Sequence, residues 1–460
     1  MACLLVAAAV VVGLSTASEL PREAIWMAGI FVLAAMLWVT EALPLFATSL
    51  LVIALQIVLL ANPGQWPGLG FETGESPRIG SILAAVADPV LLLFFGGFLL
   101  AQAAVKEGVD RSMAGLILRP FGRSAALLLL GIMGVTALFS MWMSNTATAA
   151  MMIALVAPIL ATLAPGERFR KALVLAVAFA ANIGGMGTPI GSPPNAVAIG
   201  FIRKAGLDIS FVQWMVIVVP LMVGLLLLTW VMLYALFRPQ TPGLQFAPPP
   251  QRLGGRGWFV VAVFTITVIL WLSEPLHGLP AAVVALLPAI AFTATRLLSA
   301  DDVNRLDWNI LILIAGGISL GMGMQMTGLD GIIVEAALRD RTITLAAALA
   351  LLATATLLLG TFMSNTAAAN LLLPIGISLV TATAGDDGAA IHYMAIGIAL
   401  TASLSMALPI STPPNAIVYG TGEISTRDLA VVGATMGIIG TALIILFAAP
   451  IVRFWQSIGL

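Results

Sequence analysis

The sequence predicts an all-α polytopic membrane protein, and three observations predict it. Of 460 residues, 60% are hydrophobic and 9% charged, with a mean hydropathy of +1.09. Apolar runs of about 20 residues, the length a helix needs to cross ~30 Å of hydrocarbon, recur from end to end. Four short motifs return 220 residues after their first appearance. No soluble domain can bury this much apolar surface, and the alternating strands of a membrane barrel are missing. A net charge of −1 gives no basis for nucleic-acid binding.

The first helix is read over 2–17; it has no basic flank, so a membrane helix is expected rather than a cleaved signal. Helices over 22–40 and 44–61 follow, then a polar Gly/Pro-rich loop over 62–81. The run 89–105 carries Gly96-Gly97, and a short amphipathic piece covers 108–119. Residues 124–162 are apolar but interrupted by Ser144-Asn145-Thr146, which fits two crossings or one re-entrant hairpin. A helix starting near Arg168 breaks at GGMGTPIGSPPN (Gly184–Asn195), resumes to about Gly206, and is followed by a crossing over 211–237. The Pro/Gly-rich segment 238–257 reads as a linker.

The second half repeats the first. Gly96-Gly97 matches Gly316-Gly317, GVD at 108–110 matches GLD at 328–330, and Ser144-Asn145-Thr146 matches Ser364-Asn365-Thr366. SPPNA at 192–196 matches TPPNA at 412–416, so all four pairs share one offset, the mark of an internal duplication. Each half holds an odd number of crossings, the hairpin counting as zero or two. The halves are therefore expected to insert upside down relative to each other, the inverted-repeat plan of secondary transporters. With a cytoplasmic N-terminus, thirteen of the 20 basic residues fall in cytoplasmic loops. The other seven are Arg22, Arg78, Arg203, Lys204, Arg339, Arg341 and Arg453. That bias favours an N-terminus inside and a C-terminus outside. Short loops and the lack of any Asn-x-Ser/Thr site lean toward a prokaryotic inner membrane.

Pro193-Pro194 and Pro413-Pro414 end the helical hydrogen-bond ladder at membrane depth. Irregular backbone is tolerated there only inside protein or along a watery cavity. Freed carbonyls suit a cation, and the helices resuming at Asn195 and Asn415 are expected to offer N–H groups to an anion. The triplets add hydroxyls and amides of the same character. No Lys, Arg or His lies in either triplet or either break, so a dianion there needs co-bound cations and helix dipoles. A lone Asn in a membrane helix is ordinarily an interhelical hydrogen-bonding group. The duplicated tandem of triplet and break is what favours a site. Gly96-Gly97 and Gly316-Gly317 read as close-packing points, Asp88 and Asp307 as helix starts, and Glu41 and Glu274 as interfacial turn residues. Cys3 is the only cysteine, and His277 and His392 have no spacing partner for a metal.

On these residues the chain resembles the divalent anion:sodium symporter (DASS) family, carriers of dicarboxylates, citrate and sulfate. The resemblance covers the whole chain: SNT at 144–146 and 364–366, GSPPN at 191–195, STPPN at 411–415. It implies a homodimer of elevator type, with about 11 crossings, two re-entrant hairpins and two broken helices. Residues 1–123 and 258–341 would form the scaffold, with arm helices at 108–119 and 328–339. Residues 124–237 and 342–460 would form the moving transport part, with hairpins at 124–162 and 342–383 and broken helices at 168–206 and 387–421. Carried over, a first sodium site uses Ser140, Ser144, Asn145 and the carbonyl of Gly191. A second uses Asn365 with carbonyls at Gly360, Met363 and Ser411. Substrate carboxylates meet Asn145, Thr146, Asn365 and Thr366, with Pro193, Thr412 and Pro413 close by. Position 140 is Ser but its repeat mate 360 is Gly, so the second site is expected to lean on backbone oxygens or on Thr361.

The leading function is sodium-coupled uptake of C4-dicarboxylates such as succinate, malate or fumarate, with no organic cofactor. The alternatives are exchange without sodium, a sulfate or citrate cargo, a channel, and a membrane-embedded enzyme. The last would need a nucleophile–base pair, a metal cluster or a carboxylate dyad within the membrane, and the sequence offers none.

Overall fold

The computed structural model describes residues 2–17, 19–72, 76–122, 124–240, 252–338, 343–385 and 387–457. Every regular element among them is helical. The first half runs through α1 (Ala2–Ala17), α2 (Arg22–Thr40), α3 (Leu45–Gln56, with a π-turn to Ala61), α4 (Pro89–Lys106) and α5 (Val109–Leu118). It continues with α6 (Ala125–Ser140), α7 (Asn145–Thr162), α8 (Arg168–Gly184), α9 (Pro193–Lys204) and α10 (Phe211–Leu236). The second half holds α11 (Gly255–Leu272), α12 (Leu286–Ala294), α13 (Trp308–Thr327), α14 (Leu329–Leu338) and α15 (Leu345–Phe362). It ends with α16 (Asn365–Ala384), α17 (Gly388–Leu404), α18 (Pro413–Tyr419) and α19 (Thr426–Ser457). The helices α5, α7, α8 and α9 begin 220 residues before α14, α16, α17 and α18.

Helix starts follow local chemistry. Asp88 accepts from Val90 N at 2.9 Å ahead of Pro89, so α4 begins with a capped, proline-compatible turn. Asp307 sits at the start of α13 without making a capping bond. Ser210 and Gln213 form a capping box on α10. Most of the expected linker lies outside the described residues, and its last three positions open α11 instead of preceding it. Arg339, expected at the end of the second arm helix, and the segment boundary at 341/342 also lie outside them.

Among the described residues, ten helices are long and apolar enough to cross a membrane. They are a different set from the eleven expected crossings. They include Asn145–Thr162, Leu345–Phe362 and Asn365–Ala384, which are hairpin arms, while the apolar α1 is too short at 16 residues. At 1.5 Å per residue α1 covers roughly 24 Å. In both stretches that the sequence left as hairpin or double crossing, two helices meet at the triplet: Ser144 and Ser364 are the N-caps of α7 and α16.

The glycine pairs are packing points with a division of labour. A Cβ on Gly96 would lie 2.7 Å from Ala285 Cβ and closer still to the Ala285 carbonyl, and one on Gly316 would run into Ser49. The second glycine of each pair faces elsewhere: Gly97 meets Ile190 in the first break, and Gly317 meets the Asn370 side chain on α16. Asn370 Nδ2 also donates to Leu313 O at 3.1 Å.

The halves differ in how they close. Helix α16 packs on α13, α14 and α9 and is buried along Thr366–Pro374. Its mate α7 packs on α6, α8 and α18 but makes no comparable packing with α4, the counterpart of α13. Its outer stripe, Thr146, Ala150, Ala154, Ala157 and Ala161, is exposed. Across the halves, Arg170 donates twice to Glu423, at 2.8 and 2.5 Å, and Lys171 to Asp428 at 2.9 Å. The guanidinium holds the Glu423 carboxyl below its usual range.

Replacing Gly96 with Leu is expected to lower stability by about 1–3 kcal/mol, because backbone cannot move aside. Replacing Gly134 with Ala, which meets open space, is expected to raise it by roughly 0.5–1 kcal/mol through helix propensity. Thermal unfolding of both variants in one detergent checks the pair.

Candidate functional site

Each break must satisfy its own unwound backbone, and the asparagine after the two prolines does so. Asn195 Nδ2 donates to Gly185 O at 3.0 Å and Thr188 O at 2.8 Å. Asn415 Nδ2 donates to Met406 O and Leu408 O, both at 2.9 Å. Trp214 Nε1 donates to Met186 O at 3.0 Å, and Thr188 Oγ1 donates to Met141 O at the first hairpin tip. The residues PPN therefore act as one device: prolines end the ladder, and the amide pins the loop back onto the new helix.

This arrangement corrects the expectation of free N–H groups at Asn195 and Asn415. Pro193, Pro194, Pro413 and Pro414 have no N–H, Asn195 N donates to Ser192 O at 3.0 Å, and Asn415 N donates to Thr412 Oγ1 at 3.3 Å. The orphan donors belong to the first turns of α7 and α16. Ser144 Oγ accepts from Ala147 N at 3.3 Å, but Ser364 makes no capping bond. It is the helix starts at the triplets, not the Pro-Pro turns, that keep backbone N–H groups.

Around the first triplet the oxygens gather. The Asn145 amide end lies 2.6 Å from Ser140 Oγ, 3.1 Å from Gly191 O and 3.3 Å from Ala181 O. The hydrogen-bond network orients the amide with Nδ2 toward these oxygens, donating to all three. Ser140 Oγ, fully buried, donates to Ala181 O at 2.7 Å. The structure thus brings Ser140, Asn145 and Gly191 together, adds the unforeseen Ala181 carbonyl, and leaves Ser144 engaged as a cap.

Around the second triplet, Asn365 Oδ1 is buried with no hydrogen-bond partner among the described residues. A Cβ on Gly360 would lie 3.3 Å from it and 2.7 Å from Ser405 Oγ. Thr361 Oγ1 donates back to Leu357 O at 2.7 Å. Ser411 Oγ donates to Thr361 O at 2.7 Å and accepts from Leu408 N at 3.1 Å, which ties the second break to its hairpin tip. Met363 is buried.

Three side-chain hydrogen bonds join the halves between these clusters. Asn182 Nδ2 donates to Thr412 Oγ1 at 3.1 Å and to Asn415 Oδ1 at 3.2 Å. Ser192 Oγ lies 3.3 Å from Ser403 Oγ. Helix α7 packs on α18 and α16 on α9, so four helix starts converge there. Thr146 and Pro413 are exposed, Pro193 is half-buried, and Thr366 and Thr412 are buried. Asn182, Asn195 and Asn415 hold the site together; a repeat comparison extended past the prolines finds the last two, while Asn182, matched by Ala402, leaves no such signal.

Enzyme chemistry finds no support among the described residues. They hold no group of three metal-binding side chains. GISLG at 317–321 has the spelling of a hydrolase nucleophile motif, but Ser319 is buried within α13 and donates to Gln56 Oε1 at 3.2 Å. His277 Nδ1 accepts from Leu279 N at 2.9 Å, and His392 bonds the Gly388 carbonyl of its own helix.

Across residues 1–460 the chain matches the family described as the sodium:sulfate symporter transmembrane region. It is 31% identical to a transporter of Haemophilus influenzae over 95% of this chain and 93% of that protein. It is also 31% identical to the sodium-dependent dicarboxylate transporter SdcS of Staphylococcus saprophyticus, over 91% of this chain and 85% of that one. Among solved structures, the Alcanivorax borkumensis YdaH transporter, described as having an unusual topology, superposes with a TM-score of 0.58 at 14% identity. The superposition covers 93% of this chain and 99% of that one, and likens the two in fold.

Asn182→Ala is expected to cost roughly 1–3 kcal/mol, because it removes a donor from Thr412 Oγ1 and strands the buried Oδ1 of Asn415. A fall in unfolding temperature, read beside Ser403→Ala, which breaks the Ser192–Ser403 bond, checks this.

Proposed function

This chain belongs to the sodium:sulfate symporter family, the divalent anion:sodium symporters, and on that premise we propose that it couples sodium entry to the uptake of C4-dicarboxylates such as succinate, malate or fumarate. It is a membrane transporter and not an enzyme. The observation that carries the proposal is the pair of uncharged oxygen clusters built on Asn145 and Asn365, with the unused N–H donors of α7 and α16 beside them. Sodium ions would take the oxygens of Ser140, Asn145 and Gly191 on one side and of Asn365 and the Gly360–Met363 and Ser411 backbone on the other. The substrate carboxylates would take the amides and hydroxyls of Asn145, Thr146, Asn365 and Thr366. No cationic side chain belongs to this cluster, so a dianion gains its countercharge from the ions that travel with it. That dependence is the coupling. The dicarboxylate cargo draws on the name of the staphylococcal relative; sulfate or citrate transport, and exchange without sodium, keep the same fold.

Movement follows from the unequal halves. Lipid-facing helices gain by carrying large apolar side chains, as the exposed Leu351, Leu358 and Phe362 of α15 do. The exposed stripe of α7 is alanine and threonine, which suits a water-filled approach to Thr146 and Pro413. With a cytoplasmic N-terminus, as the basic residues favour, that approach opens to the cytoplasm of a prokaryotic inner membrane. Residues 124–237 and 342–460 would move as one body against a dimeric scaffold of 1–123 and 258–341, with α5 and α14 as arms. In the opposite state α7 would close on α4 as α16 now closes on α13, the exchange expected of inverted repeats.

Thermal stabilisation of the purified protein by succinate, malate, citrate and sulfate, run in sodium and in choline, tests cargo and coupling together. Dicarboxylates are expected to stabilise in sodium only. Stabilisation indifferent to sodium would leave exchange. In liposomes, Asn145→Ala and Asn365→Ala are each expected to abolish sodium-driven succinate uptake while leaving a folded protein; normal uptake by Asn145→Ala at low sodium would remove the first cation site.

A further inference from the structure

The two cation clusters are built from the same parts mounted on opposite walls. In the first, the hydroxyl belongs to Ser140 on the hairpin arm α6, and the residue across from Asn145 is Gly185, whose Cβ would collide with Asn145 Oδ1 and lie 2.8 Å from Gly191 O. In the second, position 360 on the hairpin arm is glycine, and the residue that follows α17, at the position equivalent to 185, is Ser405. The two hydroxyls fill one role. Ser140 Oγ donates to Ala181 O at 2.7 Å, and Ser405 Oγ to Thr401 O at 3.2 Å; residues 181 and 401 are repeat mates. We propose that Ser405 is a ligand of the second sodium ion, in the place that Ser140 holds at the first.

The chemistry fits. Ser405 is fully buried, and its one hydrogen is spent on the carbonyls of Thr401 and Thr356, the latter at 3.3 Å. Its lone pairs are free to bind a cation, and its Oγ and Asn365 Oδ1, a buried acceptor without a donor, lie 2.7 and 3.3 Å from where a Cβ on Gly360 would be. A buried acceptor left without a donor is costly, and a cation shared with Ser405 Oγ removes that cost. A serine bonding back to its own helix is the ordinary reading of such a hydroxyl. It leaves unexplained why position 360 lacks a side chain just where Ser405 reaches, and why Asn365 Oδ1 has no donor. The swap accounts for both: side chains at 360 and 405 exclude each other, at 2.7–2.8 Å, and the site keeps one hydroxyl.

The inference rests on the sodium-coupled reading, and the test separates the two. Purified full-length wild type, Ser140→Ala, Ser405→Ala, Gly360→Ser and Gly360→Ser/Ser405→Gly are titrated with sodium chloride against choline chloride. Thermal stability and succinate uptake in liposomes are the readouts. Ser405→Ala is expected to raise half-saturating sodium about tenfold, as Ser140→Ala does, and to flatten the sodium dependence toward a single ion. Gly360→Ser alone is expected to unfold at lower temperature through its clash. The double variant, which moves the hydroxyl to the other wall, is expected to regain most of the sodium response. A sodium-dependent wild type with an unaltered Ser405→Ala overturns the inference alone. So does a folded double variant that remains insensitive to sodium, the decisive comparison should Ser405→Ala fail to fold. A wild type that ignores sodium overturns the inference and the coupled transport beneath it.

Discussion

Backbone that leaves the helix inside a bilayer has to be answered group by group, because no water is there to do it. In this protein Asn195 and Asn415 provide the answer twice. Each follows two prolines that end the ladder, and each turns its amide back onto two carbonyls of the segment just unwound. Trp214 and Thr188 take up further groups of the first break, and Ser411 takes up those of the second. With these groups satisfied, Asn365 Oδ1 stands out as a buried oxygen without a donor among the described residues. An uncharged polar cluster at each triplet is tolerable only because the rest of the irregular backbone makes no demands.

Duplication supplies the parts, and divergence shows which parts are interchangeable. Gly96 and Gly316 press on different neighbours, Ala285 and Ser49, yet each leaves the next glycine facing the opposite body, at Ile190 and Asn370. Asn182 has no counterpart, Ala402 standing at its repeat position, so one amide does alone what a symmetric pair would share. The unequal burial of α7 and α16 has the same origin. One chain holding both halves gives each a different neighbour, and in this structure one hairpin is closed against its long helix while the other stands apart.

The features written in the sequence were those carried by local chemistry. Apolar length gave the helices, proline pairs gave the breaks, and a constant offset gave the repeat, down to N-caps at Ser144 and Ser364. Asp88 could be read as a cap because capping is decided within three residues. The polar clusters at the triplets were harder. Ser140 and Asn145 are five residues apart and announce themselves, whereas Ala181 O and Ser405 Oγ enter from helices 36 and 40 residues further on, through contacts no local pattern encodes. Thr361, adjacent to Gly360, is the replacement a local reading finds, whereas Ser405 meets the space at Gly360 from the end of another helix. The expected N–H groups at Asn195 and Asn415 failed because prolines that open a helix also remove the donors that an anion would use.

By itself the sequence determined a duplicated helical bundle in a membrane, two broken helices, two polar triplets and a site without charge. These are consequences of hydrophobic length, of proline and of repetition, which act along the chain. Only the tertiary structure decided which wall delivers each hydroxyl, which amide joins the halves, and which hairpin stands open. Those depend on side chains meeting from helices far apart in sequence, where a glycine at one position and a serine at another have meaning only once they face each other.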